Sequence, residues 1–121
     1  MNNLTLIIPA KEEKYSLPKV LDEVKDLNFK KLIVLAEDDF ETREAVKNSD
    51  CKILFQTGKG YENTIREGIK HATTKYIGIF YADGSTDPID FKPMINKIIN
   101  FHFIKRLYFF YLTFLTLNYL K

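Results

Sequence analysis

Leu4-Thr5-Leu6-Ile7-Ile8-Pro9-Ala10-Lys11-Glu12-Glu13 is the stretch from which the fold can be worked out. Leu4 to Ile8 is a nearly continuous apolar run, the pattern of a strand buried on both faces. Pro9 closes the run, and the charged Lys11-Glu12-Glu13-Lys14 follows. Ser16 is placed to cap a helix, with Pro18 in its first turn, where a missing N–H costs nothing. Leu17, Val20, Leu21, Val24 and Leu27 then recur at helical spacing and form one apolar stripe. Strand, charged loop and amphipathic helix make one βα unit.

The unit repeats outward from there. Lys31–Leu35 reads as a second strand running into Glu37-Asp38-Asp39, with a short helix expected around Thr42–Lys47. Lys52–Phe55 is a third strand, ended by Thr57-Gly58-Lys59-Gly60, and Glu62–Ala72 a helix with Ile65, Ile69 and Ala72 inward. Tyr76–Tyr81 is a fourth strand, closed by Ala82-Asp83-Gly84-Ser85-Thr86-Asp87-Pro88. Phe91, Met94, Ile95, Ile98 and Ile99 mark a fourth helix. Four alternations predict an α/β fold, a Rossmann-like parallel sheet with helices on both faces and right-handed crossovers.

Composition agrees. The 121 residues suffice for about one domain with one core. An apolar fraction of 45% and a charged fraction of 28% exclude a disordered, collagen-like or disulfide-stapled chain. The lone Cys51 cannot form an internal disulfide and opens an apolar run, so it reads as core or strand edge. The net charge of +2 is unevenly spread. Residues 1–100 hold 15 basic and 16 acidic residues, whereas 101–121 hold three basic, none acidic, and 8 of the 17 aromatics. The expected division is therefore a 1–100 domain and a 101–121 aromatic, basic tail.

In open α/β sheets, ligands bind beyond the carboxyl ends of the strands. The polar residues collect there: Lys11, Glu12 and Glu13; Glu37, Asp38 and Asp39; Gly58-Lys59-Gly60; Asp83, Ser85, Thr86 and Asp87. A lysine between glycines lets backbone N–H groups and a cation approach a phosphate. It is not a Walker A loop, because Gly60 follows Lys59 and Ile53 stands where the first glycine belongs. Strand-end carboxylates suit Mg²⁺ or Mn²⁺ bridging to substrate phosphates. His71 and His102 lack metal-ligand spacing, no Ser-His-Asp or Cys-His arrangement stands out, and the scattered basic residues give no nucleic-acid footprint. A phosphorylatable receiver-like domain would leave the Gly58-Lys59-Gly60 loop unexplained. A nucleotidyltransferase would want glycines between Pro9 and Lys14, where there are none.

These motifs, in this order, resemble the family 2 glycosyltransferases of the GT-A fold, and most of all the dolichyl- or polyprenyl-phosphate sugar synthases. Leu6–Glu13 followed by Ser16–Leu21 is similar to the family's "IPAxNE…SLPxVL". Gly58 to Ala72 is similar to "GKGxAxxxGxxxA", and Ala82–Pro88 to the stretch holding the metal-binding D-x-D. The resemblance spans about residues 4–100. It implies a nucleotide-sugar donor carried on UDP or GDP. Pro9, Ala10 and Glu13 would lie against base and ribose, Asp38 (or Asp39) would meet the base, and Lys59 and Gly60 would sit near the nucleotide. Asp83 would ligate Mg²⁺ or Mn²⁺, with Ser85 behind it. The implied acceptor is a polyprenyl phosphate.

Several residues depart from the family pattern. Glu12 replaces the asparagine after "IPAx", and Asp38-Asp39 leads into Phe40-Glu41 rather than a Gly-Ser turn. Tyr81 stands where the first aspartate of D-x-D belongs, which removes one carboxylate. Nothing after residue 100 resembles the family's acceptor half with its general base. That leaves a second expectation: a truncated, inactive nucleotide-sugar-binding module completed by an oligomer or second subunit. The N-terminus lacks a secretory signal, so a cytoplasmic chain is expected. The apolar stretch Leu107–Leu120 is short for a span, and with Lys105-Arg106 and Lys121 it reads as a docking or membrane-interfacial helix.

Overall fold

A computed structural model describes residues 3–89 and Pro93. Seven elements alternate: β1 (Leu4–Ala10), α1 (Ser16–Val24), β2 (Lys30–Leu35), α2 (Phe40–Val46), β3 (Lys52–Phe55), α3 (Tyr61–His71) and β4 (Tyr76–Ile79). The strands form one parallel sheet in the order β3-β2-β1-β4. The first two crossovers step away from β1 on one side, and the third returns past β1 to its other side. A reversal of this kind is the switch point at which a parallel sheet leaves a crevice.

The central β1 is buried along its whole length, as a two-faced strand requires. Leu4, Leu6, Ile8 and Ala10 pack with Leu17, Val20 and Val24 of α1 and Val46 of α2. Ile7 points the other way, to Leu32, Val34, Ile77 and Ile79 of the sheet and Ile65 of α3. Helices α1 and α2 therefore cover one face and α3 the other. Thr5, the polar residue within the run, is satisfied by a 2.6 Å hydroxyl contact with Thr74. A Cβ at Gly68 would stand 2.6 Å from Ile7 Cγ2, so α3 rests almost backbone-on against β1.

Several boundaries differ from the sequence reading. Pro9 does not end β1, which runs on to Ala10. In a parallel strand, successive residues hydrogen-bond to alternate sides. Ile7 O accepts Phe80 N–H at 2.9 Å on the β4 side, and Ala10 O accepts Ala36 N–H at 3.3 Å on the β2 side. Pro9 thus turns its missing donor toward β4. The β1–β4 ladder ends at the pair Ile7–Ile79, while β1–β2 continues to Ala10–Leu35. That is why β4 stops at Ile79 rather than Tyr81.

Ser16 is not a cap. The N-cap residue is Tyr15, without a side-chain bond, and Ser16 Oγ donates to the Glu13 carboxylate instead. Helix α2 starts at Phe40, earlier than expected, because Asp39 caps it by accepting Thr42 N–H at 3.1 Å. Pro88 and Ile89 begin a helical turn in which Asp87 accepts Ile89 N–H at 2.9 Å. Cys51 is a free, half-buried thiol beside the core, and burial pushes its pKa up. The helix expected from Phe91 to Ile99, His102 and the 101–121 tail lie outside the described residues. Among the described residues, no helix is long and apolar enough to cross a membrane.

Candidate functional site

A cleft of about 740 Å³ opens beyond the carboxyl ends of the strands. Its volume is in the range of small-molecule sites. Pro9, Ala10 and Glu13 line it from the β1 loop, and Asp38 from the β2 loop. Lys59 and Gly60 line it from the β3 loop, and Asp83 from the β4 loop. All seven residues singled out from four separated loops of the sequence therefore meet around one cavity.

Asp38 and Asp39 have different surroundings. The Asp39 carboxylate accepts Glu12 N–H at 2.7 Å through Oδ2 and Thr42 N–H through Oδ1. Thr42 Oγ1 in turn accepts Glu13 N–H at 3.1 Å, and Lys14 pairs with Glu41 at 2.6 Å. This small network ties the β1 loop to the start of α2. It holds Glu12 in the left-handed region, at φ 58°. Asp39 is used internally, and Asp38 is the one at the cleft wall.

The β3 loop is shaped by Gly58 at φ 133° and Gly60 at φ 93°, conformations that side chains resist. Gly60 is the N-cap of α3 and brings Lys59, Tyr61 and Thr64 to the cleft. Thr64 Oγ1 donates back to Gly60 O at 3.0 Å. Gln56, absent from the sequence reading, also lines the cleft while only 6% exposed. The available signal was its place, a polar residue directly after an apolar strand.

Tyr81 and Tyr61 occupy the β4 side. Their rings stack at 6.4 Å with 14° between planes, and Tyr61 Oη donates to Tyr81 Oη at 3.3 Å. Burial, then this bond, push the Tyr61 hydroxyl above its ordinary pKa, so it stays a neutral donor. Asp83 is exposed. Ser85, donating through its side chain and through a 2.9 Å backbone N–H bond, holds the Asp83 carboxyl below the usual range. The described residues contain no group of three His, Cys, Asp or Glu able to hold a metal by themselves. Mg²⁺ and Mn²⁺ need no such cage, since one or two carboxylates plus substrate phosphates suffice. The cleft lining carries five carboxylates (Glu12, Glu13, Glu37, Asp38 and Asp83) against Lys11 and Lys59. That excess negative charge suits a divalent cation. Asp83 is therefore compatible with such an ion, as a single carboxylate.

Fold and cleft together define an α/β protein with its ligand crevice at the switch point of a parallel sheet. The chain belongs to glycosyl transferase family 2, whose family model matches residues 5–106. An uncharacterized glycosyltransferase of Mycobacterium tuberculosis (strain ATCC 25618 / H37Rv) is 24% identical over 95 residues, 78% of this chain and 43% of the relative. The chain thus spans under half the length of the curated relatives it matches. Among solved structures, it is similar to glucosyl-3-phosphoglycerate synthase from Mycobacterium tuberculosis in complex with Mn²⁺, UDP-glucose and phosphoglyceric acid. The TM-score is 0.69 at 10% identity, over 80% of this chain and 39% of that one. It is also similar to CMP:2-keto-3-deoxy-manno-octonic acid synthetase complexed with CTP, with TM-score 0.68 and 11% identity, over 84% and 49%. These likenesses establish the nucleotide-sugar transferase fold.

Proposed function

We propose that the cleft binds the nucleoside diphosphate of a UDP- or GDP-sugar, and that the chain supplies the donor side of a sugar transfer. The observation that carries this reading is the convergence of Pro9, Ala10, Glu13, Asp38, Lys59, Gly60 and Asp83 on one cavity. Pro9 and Ala10 give an apolar wall for base and ribose, with Glu13 beside them for ribose hydroxyls. Asp38 accepts N–H groups of the base. Lys59 and the Gly60 backbone face the phosphates. Mg²⁺ or Mn²⁺, when bound, would be held by Asp83 and the phosphates and would offset charge on the leaving diphosphate.

The acceptor reading, a polyprenyl phosphate met at a membrane surface, is supported by the "SLPxVL"-type opening at Ser16–Leu21 and the aromatic, basic 101–121 segment. Calorimetric titration of the 121-residue chain with UDP and GDP, each with Mn²⁺ and with EDTA, tests the donor reading. Binding strengthened by Mn²⁺ is expected, and no heat with either nucleotide under either condition overturns it.

Tyr81, in place of a metal-binding carboxylate, favours a second reading: a nucleotide-sugar-binding module without transfer of its own. Sugar transfer from a UDP- or GDP-sugar to polyprenyl phosphate by the isolated chain would exclude this alternative.

A further inference from the structure

Tyr61 and Tyr81 both line the cleft, yet the donor reading gives them no role. They come from different elements. Tyr61 is the first residue of α3, directly after Gly60, and Tyr81 stands two residues before Asp83. The pair therefore joins the loop that faces the phosphates to the loop that faces the cation. The rings are nearly parallel at 6.4 Å, and Tyr61 Oη donates to Tyr81 Oη at 3.3 Å, so each phenol fixes the other. Two phenols carry two hydroxyl protons, and their mutual bond uses one. Neither hydroxyl has a further partner among the described residues, so the Tyr81 proton is left to be donated. The rest of the cleft is rich in acceptors, with five carboxylates against Lys11 and Lys59. A carboxylate repels a phosphate and meets it only through a cation. A phenol meets it directly, in a charge-assisted hydrogen bond.

We propose that Tyr81, held by Tyr61, donates a hydrogen bond directly to an oxygen of the diphosphate, so that part of the nucleotide's affinity survives removal of the divalent cation. This inference rests on the nucleotide reading above. In the free protein the hydroxyl faces water. The gain on binding is therefore the difference between a bond to water and a bond to an anion. It is made by an oxygen that the stacked pair has already positioned, which lowers the ordering cost. Tyr61 is the positioning residue and Tyr81 the one that touches the ligand.

The test is calorimetry of the whole 121-residue chain with UDP and GDP, in EDTA and in Mn²⁺, with uridine and guanosine as phosphate-free controls. It compares the wild type with Tyr81→Phe and with Tyr61→Phe/Tyr81→Phe, which keep both rings and remove one or both protons. Thermal melts monitor folding separately. The wild type is expected to bind a nucleoside diphosphate measurably in EDTA and more tightly in Mn²⁺. In EDTA both variants should bind that diphosphate about tenfold more weakly, while affinity for its nucleoside changes less than about twofold. Unchanged diphosphate affinity in either folded variant overturns the assignment. So does a loss shared equally by diphosphate and nucleoside, which places the hydroxyl away from the phosphates. A wild type that binds only with Mn²⁺ overturns the assignment and leaves the nucleotide reading standing. A wild type that binds neither nucleotide in either condition overturns both.

Discussion

Tyr81 shows how one side chain changes the chemistry of the β4 loop. It replaces a carboxylate by a phenol that spends its hydroxyl on Tyr61. Tyr81→Asp should therefore lower the Mn²⁺ concentration that half-saturates UDP binding by roughly tenfold, the scale on which metal-site groups count. A calorimetric Mn²⁺ titration at fixed UDP reads this directly. Glu12 shows a different departure. Its left-handed backbone, φ 58°, is one that Asn tolerates far better than Glu. Glu12→Asn should stabilise the chain by about 0.5 kcal/mol, a rise of roughly 2–4 °C in melting temperature. Removing one of the cleft's crowded carboxylates works in the same direction. The family asparagine at this position thus has a backbone reason, which the sequence alone did not disclose. Gln56 was illegible for a related cause: its place on the cleft wall, with Oε1 held by Asn63 of α3, is a property of the folded chain.

The loops and helix ends separate residues that look equivalent in sequence. Asp38 and Asp39 are adjacent and chemically identical, yet Asp39 caps α2 and clamps the β1 loop while Asp38 lines the cleft. Asp39→Ala should cost about 1–2 kcal/mol in a denaturant melt. Asp38→Ala should leave the melt within about 0.5 kcal/mol and weaken nucleotide binding instead. Equal stability losses for the two variants would contradict this division. Gly68 is legible only as part of a motif spacing. Its physical reason is the approach of α3 to Ile7, where a Cβ would overlap at 2.6 Å. Gly68→Ala should destabilise by about 1–3 kcal/mol in a chemical melt, because sheet and helix must move apart. The apolar stripe of α1 was readable from spacing. The helix ends were not, since Ser16 turns to the Glu13 carboxylate and Asp39 caps α2 through contacts that only the fold creates.

At the scale of the molecule, strand number, parallel direction and two-faced burial of β1 all followed from hydrophobic runs and their alternation with helices. Strand order did not, because a reversal in winding leaves no periodicity behind. The loop residues that converge were readable because carboxyl-end loops of a parallel sheet must share one rim. The absent donor of Pro9 lies at the centre of that rim. The seam between β1 and β4 ends at Ile7, three residue pairs short, while the seam with β2 runs to Ala10 at the top. Opening of the cleft therefore need not involve unzipping any strand. Amide hydrogen exchange should show this as a step in protection. Gly78 and Phe80, whose N–H groups face β1, should exchange as slowly as β2, and the amides from Ala82 to Ser85 orders of magnitude faster, even in conditions where global unfolding is negligible. The wall that a ligand brushes on entry would then be free to breathe while the sheet behind it stays shut.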